Sequence, residues 1–141
     1  MKTILSTSEQ ATKDIAGAMA KNMKKTRFFC LYGDLGSGKT VFAKGFAKGL
    51  GIPEEKIKSP TYTLMRSYKT RTGLLYHFDF YRILETDDLL EQYLREIFSA
   101  KTGVMVIEWP DRISALLPPK RTDIYFEYKN PTTRLITIKD D

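Results

Sequence analysis

Residues 33–40 read Gly-Asp-Leu-Gly-Ser-Gly-Lys-Thr and decide the fold class of this 141-residue chain. A short apolar run over residues 27–32 precedes them and is typical of a strand that is buried on both faces. Apolar residues at helical spacing follow over residues 41–50, and Gly49 and Gly51 end that stripe. A pattern G-x-x-x-x-G-K-[ST] between a buried strand and a helix is typical of a phosphate-binding loop.

Each fixed position of this glycine-rich loop (residues 33–40) has a chemical task. The glycines let successive backbone N–H groups turn toward phosphate oxygens, and the N-terminus of the following helix adds positive partial charge. Lys39 is expected to reach the β- and γ-phosphates, and the Thr40 hydroxyl to bind Mg²⁺. We therefore predict nucleotide contacts from Gly33, Asp34, Leu35, Gly36, Ser37, Gly38, Lys39, Thr40 and Val41.

The sequence also indicates which nucleotide is bound. Guanine-specific GTPases carry an N/T-K-x-D element, and the nearest candidate, residues 12–14 (Thr-Lys-Asp), has the wrong spacing. A D-x-x-G element is also missing after Asp79, which is followed by Phe-Tyr-Arg. The sequence therefore favours ATP over GTP.

A phosphate-binding loop also needs a carboxylate at the end of a neighbouring strand, to hold the metal ion. Two acids qualify: Asp79 ends the β-rich run over residues 74–79, and Glu108 ends the apolar run over residues 104–108. Glu108 fits the position better because an uninterrupted apolar run leads to it. A helix cap or a surface ion pair is the alternative role for either acid.

The remaining chain alternates helical and extended patterns. Ser6 and Glu9 have capping-box spacing at the start of an amphipathic helix over residues 7–22, which Lys24 and Lys25 would close. A second helix starts at residues 86–88. Its inward side chains are expected to be Leu89, Leu90, Tyr93, Leu94, Ile97 and Phe98.

Two hairpins complete the pattern. The runs over residues 62–68 and 74–79 predict one antiparallel hairpin, and those over 124–128 and 135–138 predict another, after a short helix over 113–117. Helices interleaved with buried strands predict a single α/β domain, with a mixed central sheet flanked by helices.

Composition excludes several classes of protein. The single cysteine, Cys30, cannot form an intramolecular disulfide. The apolar runs are far shorter than the ~20 residues that span a bilayer. Residues 1–8 turn polar too early for a signal peptide. We therefore expect a cytoplasmic protein without a membrane partner.

The charge of the chain is unevenly distributed. Residues 1–70 hold 13 basic and 5 acidic residues, whereas residues 71–141 hold 10 basic and 12 acidic residues. A basic half suits an anionic ligand such as phosphate or nucleic acid, although a solvated basic surface is the simpler alternative.

Four segments, in order along nearly the whole chain, resemble one known family. They are residues 33–40, residues 59–64 (Ser-Pro-Thr-Tyr-Thr-Leu), residues 77–82 (His-Phe-Asp-Phe-Tyr-Arg) and residues 107–110 (Ile-Glu-Trp-Pro). Together they closely resemble the TsaE family, small bacterial ATPases that take part in threonylcarbamoyladenosine modification of tRNA. The departures from the family pattern are Ser37 for Ala, Phe80 for Leu and Asp111 for Glu.

The resemblance implies roles for individual residues. It implies a P-loop NTPase fold, ATP and Mg²⁺ as ligands, and Thr40 with Glu108 as the metal-holding pair. Lys39, Asp79 and Glu108 would be catalytic, with Asp79 orienting water or acting as a base. Thr61 and Thr63 would lie in a segment that senses the γ-phosphate. The implied partners are TsaD and TsaB, and tRNA would be contacted indirectly. The implied ATP hydrolysis is weak in the chain alone and depends on these partners for further activity.

Other interpretations stay open at this point. The chain could be a small-molecule kinase, a binding module that uses ATP only to change shape, or a protein that binds tRNA directly. His77 is favoured as a structural hydrogen-bonding residue over a catalytic one. Trp109 is either a core or rim aromatic or part of the nucleotide or partner surface. Candidates near the adenine or ribose are Thr7, Gln10, Lys129 and Arg134.

Overall fold

A mixed seven-stranded sheet runs through the molecule. The computed structural model describes residues 1–23, 26–58, 60, 63–100 and 102–140. The strands are β1 (Lys2–Ser6), β2 (Phe28–Tyr32), β3 (Met65–Lys69), β4 (Leu74–Asp79), β5 (Val104–Glu108), β6 (Thr122–Asn130) and β7 (Thr133–Asp140). The helices are α1 (Glu9–Lys21), α2 (Lys39–Gly49) and α3 (Asp88–Ser99), with 3-10 turns at Glu54–Lys56 and Pro110–Leu116.

The centre of the sheet is parallel and its margins are antiparallel. The strand order is β1-β7-β6-β2-β5-β4-β3. Strand β2 pairs in parallel with β5 and β6, and β5 pairs in parallel with β4. The hairpins β3–β4 and β6–β7 are antiparallel, as predicted, although β6 and β7 are longer than the sequence indicated. The predicted α/β class with a mixed sheet and flanking helices is confirmed.

Helices cover the two faces of the sheet unequally. Helices α1 and α2 bury one face, where Leu31 and Phe42 belong to a large core that reaches from β4 to β7. Helix α3 and the turn at Pro110–Leu116 bury part of the other face, around Cys30 and Phe78. Burial raises the pKa of the Cys30 thiol to about 12, so this cysteine is an inert core residue. No described helix combines the length and hydropathy that a membrane crossing requires.

The start of the chain differs from the prediction. Ser6 does not cap a helix, because it ends the edge strand β1 and is fully buried. Its hydroxyl donates to the backbone oxygen of Ser8 and lies 2.7 Å from the hydroxyl of Thr12. The cap of α1 is Ser8, whose side chain accepts a hydrogen bond from the Ala11 N–H at 3.0 Å. The predicted closing pair Lys24 and Lys25 lies outside the described residues.

Helix α3 begins where predicted but is rotated relative to the expected core stripe. Leu94 is fully buried, and the sheet-facing stripe is completed by Leu90, Ile97 and Phe98. The prediction was wrong for Leu89 and Tyr93, whose side chains are 77% and 44% exposed. A helix on the surface of a sheet buries only about one face, and residues 89 and 93 lie outside that face.

Candidate functional site

The glycine-rich loop connects β2 to α2, and its glycines are required by its geometry. Gly38 caps α2 with a φ of 107°, a left-handed conformation that favours glycine. A Cβ on Gly33 would lie 2.5 Å from Ser37 Oγ and 2.9 Å from the backbone oxygen of Phe126. These positions hold the loop in a tight curve at the carboxyl end of β2.

Lys39 places a buried cation at the concave side of this loop. Its side chain is 5% exposed, and the ammonium donates to the backbone oxygens of Gly33 and Asp34. It also lies 4.4 Å from the centre of the Trp109 ring. Burial lowers the pKa of Lys39, while the nearby carboxylates of Glu108 and Asp79 act in the opposite direction. An anion entering the loop would therefore meet a poorly solvated positive charge.

Glu108 is the centre of a buried polar cluster. Its side chain is 2% exposed and stands at the end of β5. The Thr40 hydroxyl donates to Oε1 at 2.9 Å, and Nε2 of His77 lies 2.6 Å from Oε2. Thr40, in the first turn of α2, is thus brought against the strand-end acid, as the sequence predicted. His77 has the hydrogen-bonding role that was favoured for it, because its ring fixes the orientation of this carboxylate.

Asp79 lies beside Glu108 on the neighbouring strand. The parallel register of β4 and β5 pairs these two residues. Oδ1 of Asp79 accepts a hydrogen bond from the Tyr81 N–H at 3.0 Å. Burial raises the pKa of Asp79, and the charge of Glu108 adds to that effect, whereas the Tyr81 hydrogen bond and Lys39 oppose it. The carboxylates of Asp79 and Glu108 therefore both lie near the Lys39 ammonium, but Glu108 is more deeply buried than Asp79.

Trp109 follows Glu108 in an unusual backbone conformation. Among the described residues it is the one non-glycine with a positive φ, 58°. Its ring packs against Lys39, Tyr81 and Arg112, with 5.1 Å between the Trp109 and Tyr81 ring centres. Such backbone strain occurs preferentially at functional sites. Trp109 also packs against the core around Cys30 and Phe78, so it lies at the boundary between that core and the site.

A cavity of about 630 Å³ opens over the loop and collects most of the predicted residues. The predicted residues that line it are Leu35, Gly36, Ser37, Gly38, Lys39, Thr40, Val41, Thr63, Asp79 and Glu108. Gly33 and Asp34 contribute through the carbonyls that hold Lys39. Thr63 is exposed and its hydroxyl donates to the Met65 carbonyl, whereas Thr61 lies outside the described residues.

Part of the cavity wall consists of residues that the sequence patterns did not predict as site residues. Ser8, Glu9 and Thr12 from the start of α1 line it, together with the turn over residues 131–134. Of the four suggested nucleoside contacts, Arg134 lines the cavity, and its guanidinium donates to the Gly36 carbonyl at 3.0 Å. Thr7, Gln10 and Lys129 are not among the lining residues. No local pattern marks residues 131–134, because the pairing of β6 with β2 and β7 brings them to the loop.

The polar cluster fits a magnesium ion by the chemistry of its donors. Thr40 offers a hydroxyl oxygen, and Glu108 and Asp79 offer carboxylate oxygens, the ligands that Mg²⁺ prefers. The described residues contain no group of three or more His, Cys, Asp or Glu side chains that could hold a metal ion by themselves. Magnesium typically takes one or two carboxylates and completes its shell with phosphates and water, so this donor set suits an ion that arrives with a nucleotide.

Fold and site together define a single-domain α/β protein with a Walker A sequence at the end of a parallel strand. Comparison with known proteins is more specific. The model of the family described as "Threonylcarbamoyl adenosine biosynthesis protein TsaE" matches residues 6–136. The chain belongs to the TsaE family, whose role is in tRNA threonylcarbamoyladenosine biosynthesis.

Individual relatives agree with this assignment. The TsaE protein of Bacillus subtilis is 39% identical over 131 residues, which cover 92% of this chain and 79% of the relative. The TsaE protein of Treponema pallidum is 37% identical over 134 residues, which cover 95% of this chain and 97% of the relative. The crystal structure of YdiB from Bacillus subtilis superposes with a TM-score of 0.75 at 33% identity, over 99% of this chain and 84% of that chain.

Proposed function

We propose that the chain is a cytoplasmic ATPase that binds ATP with Mg²⁺ and acts with TsaD and TsaB in tRNA threonylcarbamoyladenosine biosynthesis. The observation that carries the proposal is the convergence of Lys39, Thr40 and Glu108 at the concave side of the glycine-rich loop. This is the set of groups that phosphate binding and metal binding require at one place. Membership of the TsaE family indicates the pathway, and the residues of the site support the proposed reaction.

The cavity indicates how the nucleotide would lie. Its volume is within the range of about 300–1,000 Å³ that is usual for small-molecule sites. The carboxylates of Asp79 and Glu108 stand at one end, so the γ-phosphate belongs there, beside Lys39. The nucleoside would then extend toward Glu9, Thr12 and the turn over residues 131–134, where we propose that base and ribose are bound.

The residues around Glu108 would hold the metal and the phosphates. Thr40 and Glu108 would bind Mg²⁺, with the Glu108 carboxylate held in place by His77. When bound, Mg²⁺ neutralises charge that develops on the β- and γ-phosphate oxygens. Lys39 would exchange its contacts with the loop carbonyls for contacts with these phosphates. Its burial makes that exchange favourable, because a poorly solvated ammonium gains more from an anion.

Asp79 is the residue best placed to act on the attacking water. It faces the γ-phosphate end of the cavity, and its raised pKa makes it a better proton acceptor than an exposed aspartate. The water oxygen would bond to the γ-phosphorus as its proton passes to Asp79. The bond from the γ-phosphorus to the bridging oxygen then breaks, which leaves ADP and phosphate.

Thr40→Ala tests this proposal through phosphate release from ATP. We expect slow release by the chain alone and faster release with purified TsaD and TsaB from the same organism. Loss of the Thr40 hydroxyl removes one oxygen from the metal site, so the stimulated rate is expected to fall at least about tenfold. Thr72→Ala, at an exposed position of the β3–β4 turn, is the matched control and is expected to release phosphate at the original rate.

The same assay separates the alternative functions. Transfer of the γ-phosphate to a small acceptor without partners would identify a kinase instead. ATP binding without phosphate release, with or without TsaD and TsaB, would identify a binding module. Equal rates for the original chain and Thr40→Ala would contradict the metal site.

A further inference from the structure

Among residues 63–100, which the structure describes, five large apolar side chains are exposed. Their exposed fractions are 36% for Leu64, 39% for Tyr81, 87% for Leu84, 77% for Leu89 and 44% for Tyr93. Leu89 and Tyr93 are the residues that the helical pattern of α3 had placed in the core. Exposed apolar residues scattered singly need no explanation, but a contiguous group on one side of a protein indicates an interaction site.

These side chains come from two segments that the fold brings together. The Asp79 N–H donates to the Leu64 carbonyl at 3.0 Å, which joins the start of β3 to the end of β4. The Tyr93 hydroxyl lies 3.8 Å from the sulfur of Met65, which joins α3 to the same strand. Leu89 lies one helical turn before Tyr93 on α3, and Leu84 lies in the segment that connects β4 to α3. We call this set of residues the docking patch: Leu64, Tyr81, Leu84, Leu89 and Tyr93.

The docking patch is continuous with the nucleotide cavity. Leu64 and Tyr81 belong to both, since they line the cavity while remaining exposed. Tyr81 also packs on Trp109, and its N–H holds Asp79. A molecule seated on the docking patch would therefore cover the end of the cavity where Asp79 and Glu108 lie.

The charge around the docking patch is opposite to that of the chain. Residues 79–96 hold six acidic and two basic residues, although the whole chain carries a net charge of +6. Glu85, Asp87 and Asp88 are exposed next to the apolar side chains. Of the two basic residues, Arg95 lies 3.4 Å from Glu91 and is thus partly neutralised.

We propose that the docking patch binds a partner protein whose contact surface combines apolar side chains with Lys or Arg. This proposal rests on the proposed function, in which that partner is the TsaD–TsaB pair. A second copy of this chain fits less well, because a twofold interface would bring Glu85, Asp87 and Asp88 close to their own copies. Bound at this place, the partner also shields the γ-phosphate end of the cavity from water, which links docking to hydrolysis.

The double variant Leu84→Ser/Leu89→Ser tests the apolar part of the docking patch. Neither residue lines the cavity, and both are exposed, so folding and ATP binding by the variant are expected to stay unchanged. Its affinity for the TsaD–TsaB pair, measured by biolayer interferometry, is expected to fall at least about tenfold, as for central apolar contacts of an interface. Leu5→Ser, a similarly exposed leucine on β1 at the other margin of the sheet, is the matched control.

Glu85→Lys tests the charge of the same surface. The affinity for the pair is expected to fall several-fold, with a weaker dependence on salt, whereas Glu55→Lys in the turn at Glu54–Lys56 leaves both unchanged. Equal affinities of the double variant and the original chain would overturn the docking patch. Dimerisation of the original chain, abolished by the double variant, would also overturn it and would name a second copy as the occupant. ATP binding is measured separately on each variant, so a failure of the nucleotide site is recognised independently.

Discussion

Glu108→Gln is expected to reduce ATP hydrolysis at least about 100-fold while the chain remains folded. The carboxylate is 2% exposed and has both oxygens engaged, one by Thr40 and the other by His77. An amide has the same volume and keeps an oxygen for the Thr40 hydroxyl, but it lacks the negative charge that a metal ion requires. The loss therefore falls on catalysis more than on packing.

Phosphate release in the presence of TsaD and TsaB measures this effect. Glu127→Gln is the matched control, because this glutamate is exposed on β6 and pairs with Lys129 away from the cluster. Circular dichroism and urea denaturation establish that both variants are folded. Hydrolysis by Glu108→Gln at the rate of the original chain would show that Glu108 does not hold the metal.

Glu108→Ala adds a cost in stability to the loss of activity. The alanine leaves His77, which is 3% exposed, and the Thr40 hydroxyl without the partner that each has now. A buried polar group left unsatisfied costs about 1–3 kcal/mol, so this variant should unfold at lower urea concentration than Glu108→Gln. The pair of variants thus separates the chemical role of the carboxylate from its role in packing.

Gly45→Ala is expected to destabilise the chain by about 3 kcal/mol or more. Helices α1 and α2 cross with their backbones in contact. A Cβ on Gly45 would lie 2.5 Å from both the Cα and the backbone oxygen of Lys13. Because these atoms belong to a helix backbone, the clash is relieved only if the helices separate. Helix α2 begins at Lys39, so its displacement would also disturb the glycine-rich loop.

Gly17→Ala is the matched control on the facing helix. A Cβ at Gly17 would lie 3.5 Å from the Gly45 backbone oxygen, an ordinary contact. Alanine is favoured over glycine inside a helix by about 0.8–1.0 kcal/mol, so this variant should be as stable as the original chain or slightly more stable. Urea denaturation of both variants measures their free energies of unfolding. Equal midpoints for the two would contradict the close crossing of α1 and α2.

The part of the site that sequence could predict is the part whose chemistry is local. The glycine-rich loop places Lys39 and Thr40 by residue type and spacing alone, and an apolar run that stops at an acid marks Glu108. The structure brings these three residues and Asp79 together at adjacent strand ends. Parallel pairing of β2, β4 and β5 suffices for this, because carboxyl ends of parallel strands meet at one edge.

The part that sequence could not predict depends on contacts between distant segments. The wall of the cavity at residues 131–134 reaches the loop through the pairing of β6 with β2. Arg134 was suggested from sequence only together with three residues that do not line the cavity, because its contact with Gly36 spans 98 positions. The edge strand β1 is similar, since its five residues gain their extended form by pairing with β7 at the other end of the chain.

Helix α3 shows a different limit of sequence patterns. Apolar residues at positions 89, 90, 93, 94, 97 and 98 predict one wide buried face. The sheet beneath α3 accommodates only the stripe that contains Leu94, which leaves Leu89 and Tyr93 in solvent. A pattern of residues does not distinguish a face that packs on the same chain from a face that is kept for a partner. In this protein the difference is the basis of the proposed docking patch.

In the proposed function, the glycine-rich loop binds ATP with Mg²⁺ through Lys39. Isothermal titration calorimetry with ATP and MgCl₂ measures this binding to the purified chain, to Lys39→Ala and, as control, to Lys44→Ala on the same helix. We predict saturable binding of one ATP per chain, at least about tenfold weaker for Lys39→Ala because a buried cation facing the phosphates is lost, and unchanged for Lys44→Ala. Absence of ATP binding by the original chain, or equal affinity of Lys39→Ala, would show that the loop does not bind ATP through Lys39.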